Sequence, residues 1–189
     1  MEAVFSWLAE HFDLPILDLI AENIANPFLD AVMPVITALG NAGIFWIVLA
    51  VVLLILPKYR KTGLSMAVAL LMGLVLCNLI MKPLFARIRP YDYQWEVHGR
   101  LIELLITAES DHSFPSGHTI ASFEAATALA VHHKKWGIAA LILAALIAFS
   151  RLYLYVHYPT DVLCSIVLGV GLGLLACAIV RRLPFPQKA

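Results

Sequence analysis

The chain is 189 residues long, 61% apolar and only 14% charged, with a formal net charge of zero. Soluble domains carry roughly 45–50% apolar and about 25% charged residues, so the composition excludes an ordinary water-soluble globule and points to a bilayer. Zero net charge offers no bulk attraction to nucleic acid, and the three cysteines, Cys77, Cys164 and Cys177, lie in apolar runs without metal-ligand spacing or a disulfide pattern.

The first thirty residues carry six acids (Glu2, Glu10, Asp13, Asp18, Glu22 and Asp30), one histidine and no lysine or arginine. Phe5, Leu8, Phe12, Ile16, Leu17 and Ile20 recur at roughly helical spacing, which predicts one or two interfacial helices lying on the membrane. No basic region of the kind a cleavable signal needs is present here, so insertion is expected to rely on the later spans. Residues 1–31 are therefore expected to form N-terminal interfacial helices and residues 32–189 the membrane domain. A crossing through residues 14–36 would bury several acids.

Five apolar runs follow. The first, 35–56, opens on Pro34 and is interrupted by Gly40, Asn41 and Gly43; the others are 64–81, 119–131, 137–156 and 162–180. With its shoulders, each fits a membrane helix of roughly 17–25 residues. The third carries Ser122, Glu124 and Thr127, and a helix of that kind faces the bundle interior. Gly169, Gly171 and Gly173 in the last run offer small surfaces for close helix packing; tolerance of glycine in a membrane helix accounts for them equally well. The expected fold is an all-α integral membrane protein, a compact bundle of about five to six transmembrane helices with N-terminal amphipathic helices.

Charge sets the orientation. Lys58, Arg60, Lys61, Lys134, Lys135, Arg181, Arg182 and Lys188 are eight of the 13 basic residues, and five crossings put them on one side. The bias of lysine and arginine towards cytoplasmic loops makes that side, with the C-terminus, cytoplasmic. Lys82, Arg87, Arg89, Arg100 and Arg151 then lie outside, together with the long 82–115 loop. Cations on the disfavoured side ask for another cause, and chemistry supplies one.

Three stretches share that outer face: Lys82 to Arg89-Pro90, then Pro115-Ser116-Gly117-His118, then Ser150-Arg151 followed after five residues by His157 and by Asp161. Pro115 pre-sets a helix start and Gly117 lets backbone approach a ligand, so the exposed N–H groups of that helix make a ready phosphate site. Lys82, Arg89 and Arg151 can neutralise non-bridging oxygens. His157, if neutral, offers a ring nitrogen as nucleophile, and Asp161 can accept from its other nitrogen. Tyr158, held out of helix by Pro159, suggests a tight turn that brings Asp161 back towards His157. A protonated His118 can give a proton to the leaving oxygen. No metal or cofactor is called for, because cationic side chains supply the charge.

These three stretches resemble the tripartite signature of the type 2 phosphatidic acid phosphatase superfamily, which includes lipid phosphatases and vanadium haloperoxidases. The signature reads Lys, six residues, Arg-Pro; then Pro-Ser-Gly-His; then Ser-Arg, five residues, His, three residues, Asp, and every motif is matched within residues 82–161. The resemblance implies His157 as nucleophile, Asp161 as its orienting partner, and His118 as the acid that later activates water. It implies Lys82, Arg89, Arg151, Ser116 and Gly117 as the phosphate-binding set, with no metal. It also implies a membrane lipid phosphatase acting through a phosphohistidine, with a lipid phosphate or diphosphate as substrate. Small bacterial members suggest undecaprenyl diphosphate, converted to undecaprenyl phosphate for cell-wall synthesis; phosphatidylglycerophosphate and phosphatidate are the alternatives.

Two other classes compete. A phosphotransferase would use the same histidine with a different acceptor. A haem-binding or transport protein would place histidine pairs on facing helices at membrane depth, whereas His118 and His157 fall at helix ends beside cations. Among the remaining polar residues, Glu124 is expected to hydrogen-bond inside the bundle. Glu109, Asp111 and His112 are expected in a solvated loop, with a part in head-group selectivity as the alternative, His132 and His133 in a cytoplasmic loop, and Tyr153, Tyr155 and Tyr158 in an interfacial aromatic belt. Trp95 in the outer loop is expected to act as a lid or a membrane anchor.

Overall fold

The computed structural model describes residues 2–184; Met1 and Lys188, both part of the expectations above, lie outside the described residues. All regular elements within that range are helical. Helix α1 (Glu2–Leu8) runs through a wider turn, Ala9–Asp13, into α2 (Leu14–Asn23). Helix α3 (Pro27–Ala38) begins on Asn26, whose side chain accepts from the N–H groups of Phe28 and Leu29, each at 3.1 Å, with Pro27 supplying the preset φ of a first helical residue.

The Gly40–Gly43 interruption breaks the first apolar run. Gly43 takes a left-handed conformation with φ 66° just before α4 (Ile44–Ile55), a conformation glycine adopts without penalty. Helix α5 (Arg60–Gly73) continues through the wide turn Leu74–Met81 into the short α6 (Lys82–Phe85). Helix α7 (Pro90–His98) lies in the long loop, and α8 (Gly117–His132), α9 (Lys134–Tyr153) and α10 (Pro159–Arg181) complete the bundle.

Among the described residues, three helical stretches are long and apolar enough to cross a bilayer: Pro57–His98, which contains α5, then α9 and α10. The pair Pro27–Ala38 and Asn41–Ile55, bent by 42°, has the length and apolarity of a fourth, as one broken span or as a re-entrant loop. Helix α8 is shorter and more polar because it is the centre of the bundle: α5, α9 and α10 pack around it, and every residue from Ser122 to Leu129 is buried. The interior placement expected for the run with Ser122, Glu124 and Thr127 is thus the observed one. Leucine, isoleucine and valine side chains such as Val48, Ile55, Ile142, Leu163 and Val167 point outward from the surrounding helices, as lipid contact requires.

The three glycines of α10 divide. A Cβ on Gly169 would stand 2.9 Å from the main-chain oxygen of Ile120, and one on Gly173 would stand 2.6 Å from that of Glu124. One on Gly171 would meet nothing within 4 Å. Gly169 and Gly173 therefore let α10 lie against α8, whereas Gly171 has no such role.

Several expectations are corrected. Four of the six acids of the first thirty residues are partnered: Glu10 accepts from Tyr93 at 2.8 Å, Asp13 from Arg87 at 2.7 Å, Asp18 from Arg100 at 2.8 Å and Tyr155 at 2.9 Å, and Asp30 from Tyr153 at 2.6 Å. Tyr153, Tyr155 and Tyr158 are accordingly buried and form no aromatic belt, because their hydroxyls and rings meet these segments. His132 and His133 are not free loop residues either; they meet Ser65 at 2.9 Å and Thr62 at 3.1 Å and tie α5 to the α8–α9 turn. Of the cysteines, Cys77 and Cys177 are buried but Cys164 is exposed.

Candidate active site

The sequence around His157 curls the chain before it can continue. The N–H groups of Val156 and His157 both donate to the Arg151 carbonyl, at 3.2 and 3.3 Å, closing the end of α9. Pro159 then starts α10, and Asp161, three residues after the extended Tyr158, accepts from the Tyr158 N–H at 3.1 Å as a capping acid. A closed helix end and a capped helix start therefore bring Arg151, His157 and Asp161 together. The side chains of all three are buried.

The His157 ring has two distinct faces. Its Nε2 lies 3.3 Å from Arg89, and a guanidinium can only donate, so that nitrogen presents a lone pair. Its Nδ1, left with the proton, lies 3.5 Å from both Asp161 Oδ2 and Ser113 Oγ. That is long for a hydrogen bond, as is common where no substrate is bound. Asp161 itself is held more tightly by others: it accepts from Ser113 at 2.5 Å and from Arg87 at 2.5 Å. Burial, then the positive charges of Arg89, Arg151 and Lys82, keep the His157 ring neutral well below the usual histidine range.

Lys82, Arg89 and Arg151 converge beside it, each with a named partner. Arg89, the residue before Pro90 at the start of α7, donates to the Val156 carbonyl at 2.7 Å and to the Asp111 carbonyl at 2.9 Å. The Asp111 carboxylate pairs with both Lys82 and Arg89. Glu109 pairs with Arg151, which also donates to Thr37 at 2.7 Å, and lies 3.9 Å from Arg89. Glu109 and Asp111 are thus paired loop residues: the surplus of buried cations draws in Glu109, and Asp111 pairs with them while keeping about half of its side chain in solvent. Burial would push the Asp111 carboxyl up, but the hydrogen bonds and charges of Lys82 and Arg89 prevail and bring it to about 2. Burial likewise opposes Arg151 and Arg89 at Glu109, and the arginines win, lowering it.

His118 stands at the start of α8, with Nε2 2.9 Å from Asn41 Oδ1. A Cβ on Gly40 would come within 2.6 Å of the His118 ring, so the break in the first apolar run makes room for the imidazole and gives it a partner. The first-turn N–H groups of α8 have no acceptor within the helix, and Gly117 lines the site cavity. Ser116 is turned elsewhere: its N–H donates to Ser165 at 2.8 Å and its hydroxyl accepts from Thr119 at 3.0 Å. The part of that motif that lines the cavity therefore begins at Gly117.

A cavity of about 510 Å³ joins these groups to the bundle. Lys82, Arg89, His118 and His157 line its polar end, and Ala50, Val51, Ala67 and Leu70 its apolar end between α4 and α5. Glu124 also lines it; the bundle hydrogen bond expected for this residue is missing at Oε2, which is buried without a partner among the described residues. The arrangement offers a neutral imidazole nucleophile, a cluster of cations for an anionic group, a second imidazole, and apolar space alongside. Sequence reasoning passed over Arg87, Ser113, Asp13 and Asn41. Their only signals were the position of Arg87 on the disfavoured side and the polar break at Gly40-Asn41.

Known proteins resemble this chain in sequence and in fold. Undecaprenyl-diphosphatase of Sulfolobus acidocaldarius is 31% identical over 135 residues, covering 71% of this chain; the chain spans 63% of that protein's length. The crystal structure of Aquifex aeolicus LpxE superposes with a TM-score of 0.74 at 27% identity, covering 88% of this chain and 94% of that one. A transmembrane PAP2-type phosphatidylglycerolphosphate phosphatase from Bacillus subtilis gives 0.69 at 28% identity, covering 98% and 96%. The PAP2 superfamily profile matches residues 62–184, a stretch that holds all three motifs. With that match and this helical frame, the chain belongs to the PAP2 superfamily.

Proposed function

We propose that the chain is a metal-independent lipid phosphatase of the membrane, with undecaprenyl diphosphate as its substrate. The observation that carries the proposal is the His157 ring, whose Nε2 lone pair faces the cationic cluster at 3.3 Å from Arg89 while Asp161 backs Nδ1. In the first step Nε2 attacks the terminal phosphorus, a P–N bond forms, and the P–O bond to the leaving lipid phosphate breaks. His118 gives its proton to the leaving oxygen, and Lys82, Arg89 and Arg151 hold the charge spread over the transferring group. In the second step His118 takes a proton from water, the water oxygen attacks phosphorus, and inorganic phosphate leaves with His157 restored.

The apolar end of the cavity gives a lipid tail a place beside its own phosphate. The Sulfolobus relative bears the name of a diphosphatase acting on this lipid, which favours the diphosphate over a monophosphate. Lys58, Arg60, Lys61, Lys134, Lys135, Arg181 and Arg182 face the cytoplasm on the charge rule, so the site opens outside, where the diphosphate is released. Residues 1–31 then form an outer module beside the membrane domain. The likeness to the Bacillus phosphatidylglycerolphosphate phosphatase over 98% of the chain favours that lipid as a second substrate, handled by the same residues. Phosphate release from purified protein, compared across undecaprenyl diphosphate, phosphatidylglycerophosphate and phosphatidate, tests the assignment. The expected order puts undecaprenyl diphosphate first, and turnover of none of the three would refute it. A long-lived phosphoenzyme discharged by an added alcohol instead of water would mark a phosphotransferase.

A further inference from the structure

Behind the His157–Asp161 pair lies a second layer of charge whose residues, Arg87 and Asp13, occupy none of the specified positions of the three motifs. Arg87 donates through NH1 to Asp161 Oδ1 at 2.5 Å and to Thr160 Oγ1 at 2.8 Å, and through NH2 to Asp13 Oδ2 at 2.7 Å. Asp13 also accepts from the Thr160 N–H at 2.9 Å and the Thr160 hydroxyl at 2.8 Å. The side chains of Arg87, Asp13 and Asp161 are 3%, 0% and 0% exposed. The Arg87 guanidinium is clamped between rings, 3.7 Å from the centroid of Tyr158 and 4.7 Å from that of Phe5. Nothing in this arrangement touches the cavity that takes the substrate: Arg87, Asp13 and Asp161 are absent from its lining.

Burying three charges is costly unless each is paired and hydrogen-bonded. Had the chain needed only to satisfy Asp161, Ser113 and the Tyr158 N–H would serve one oxygen and a water or a small donor the other. A planar fork that reaches two carboxylates at once does more: it fixes where Asp161 Oδ2 points, and Oδ2 is the oxygen nearest His157 Nδ1. The second carboxylate is contributed by the turn between α1 and α2, outside the 62–184 stretch that matches the superfamily.

On the phosphatase assignment above, we infer that Arg87 and Asp13 are positioning residues for the phosphoryl-transfer step, acting on His157 through Asp161, so that the N-terminal segment completes the active site from behind. Arg87 fixes Asp161 in position and offsets its charge, and Asp13 fixes Arg87. The imidazole keeps its Nδ1 proton and its orientation, with Nε2 aimed at the phosphate site, without an excess negative field that would favour the imidazolium.

The test is a double-mutant cycle on the full-length protein in detergent, read as kcat, KM and the inhibition constant of inorganic phosphate. Wild type and His157→Ala are measured first; a wild type without turnover refutes the phosphatase assignment and this inference with it. Given turnover, Arg87→Gln should lower kcat about 10- to 100-fold and Asp13→Asn about 3- to 10-fold. KM and phosphate inhibition should stay within about twofold, because the cation cluster is untouched. Asp161→Asn should lower kcat at least as far as Arg87→Gln. In the Asp161→Asn background, Arg87→Gln should then cost less than about twofold more. A purely structural role would move melting temperature, KM and phosphate inhibition together, or would multiply the two kcat losses, and either result overturns the inference while leaving the phosphatase assignment standing. If Arg87→Gln fails to fold, Asp13→Asn and Asp13→Asn/Asp161→Asn close the same cycle; full kcat in Asp13→Asn would likewise overturn it.

Discussion

Arg89 holds Asp111 twice, donating from Nε to its main-chain oxygen at 2.9 Å and from a terminal nitrogen to its carboxylate. The same carboxylate reaches Lys82 with its other oxygen. Asp111 thereby sits across two of the three cations proposed to bind phosphate, as two oxygens of a phosphate would, and it is only half covered. An incoming phosphate must displace it. Asp111→Asn, which removes the charge and keeps the shape, should tighten orthovanadate inhibition and lower KM by about three- to tenfold, the effect of roughly one charge-assisted contact at a partly exposed site. An inhibition curve for each protein checks it. Weaker vanadate binding in the variant would mean that Asp111 organises the cations and does not compete for them.

His157→Ala should abolish turnover by on the order of 10⁴-fold or more, since removal of a nucleophile leaves little residual catalysis. The variant should still reach the membrane and keep a monodisperse profile. In wild type, rapid quench during turnover should trap a phosphoryl adduct that survives base and is lost in acid, on a peptide containing His157. An adduct with the opposite stability would place the phosphoryl group on an oxygen nucleophile.

Activity should persist in EDTA. Lys82 and Arg89 line the polar end of the cavity and Arg151 pairs with Glu109 on its wall, so the three can hold the charge a divalent ion would otherwise hold. Vanadate, able to adopt five-coordinate geometry, should inhibit more tightly than substrate binds. Loss of turnover in EDTA with recovery on adding Mg²⁺ would overturn the metal-free mechanism.

Residues read in sequence were those whose chemistry repeats at short spacing. Lys82 and Arg89 bracket one turn, Arg151, His157 and Asp161 one helix junction, and both are fixed by local prolines and caps. The central position of α8 was legible for the same local reason: Ser122, Glu124 and Thr127 on an otherwise apolar run have to face inward. What stayed hidden depends on distant partners. Arg87 lies 74 residues from both Asp13 and Asp161, and nothing near Asp13 marks it as a buried ion-pair acid rather than one of six surface acids. The acids of the long loop were misjudged because their partners, the surplus cations, come from three other segments. The break at Gly40 and Asn41 read as a flaw in a span, and its use becomes apparent only when His118 is seen against it.

Helix α10 offers a stability test within one turn. Gly173→Ala would press a Cβ to 2.6 Å from the Glu124 main-chain oxygen, whereas Gly171→Ala would meet nothing within 4 Å. Overpacking costs about 1–3 kcal/mol, and the gain in helix propensity from alanine is at most about 1 kcal/mol. Gly173→Ala should therefore lower the melting temperature in detergent, and Gly171→Ala should leave it unchanged or raise it slightly. Equal shifts would mean that α10 does not rest on α8 through Gly173.

The two imidazoles should separate by pH and by leaving group. His157 must be neutral to attack, and burial with the charges of Arg89, Arg151 and Lys82 holds its ring neutral well below the usual histidine range. Falling pH removes the nucleophile only when that depressed value is reached, so the acid limb of kcat/KM should lie below about 6.5, the ordinary histidine value. Burial and the charge of Arg151 lower His118 to about 3 in the unliganded site, so the proton it must deliver is held only against the bound anionic phosphate, and its loss as pH rises gives the alkaline limb of a bell-shaped profile in kcat. His118→Ala should keep the acid limb and lose the alkaline one. An aryl phosphate leaves with little help from an acid, so His118→Ala should be impaired about 10-fold or more on a lipid phosphate and markedly less on the aryl ester, at the scale expected for one general acid. Asn41→Ala, which removes the acceptor 2.9 Å from His118 Nε2, should show the same pattern more weakly. His157→Ala should be inactive on both substrates. Equal impairment of His118→Ala on the two would mean that His118 binds phosphate and transfers no proton.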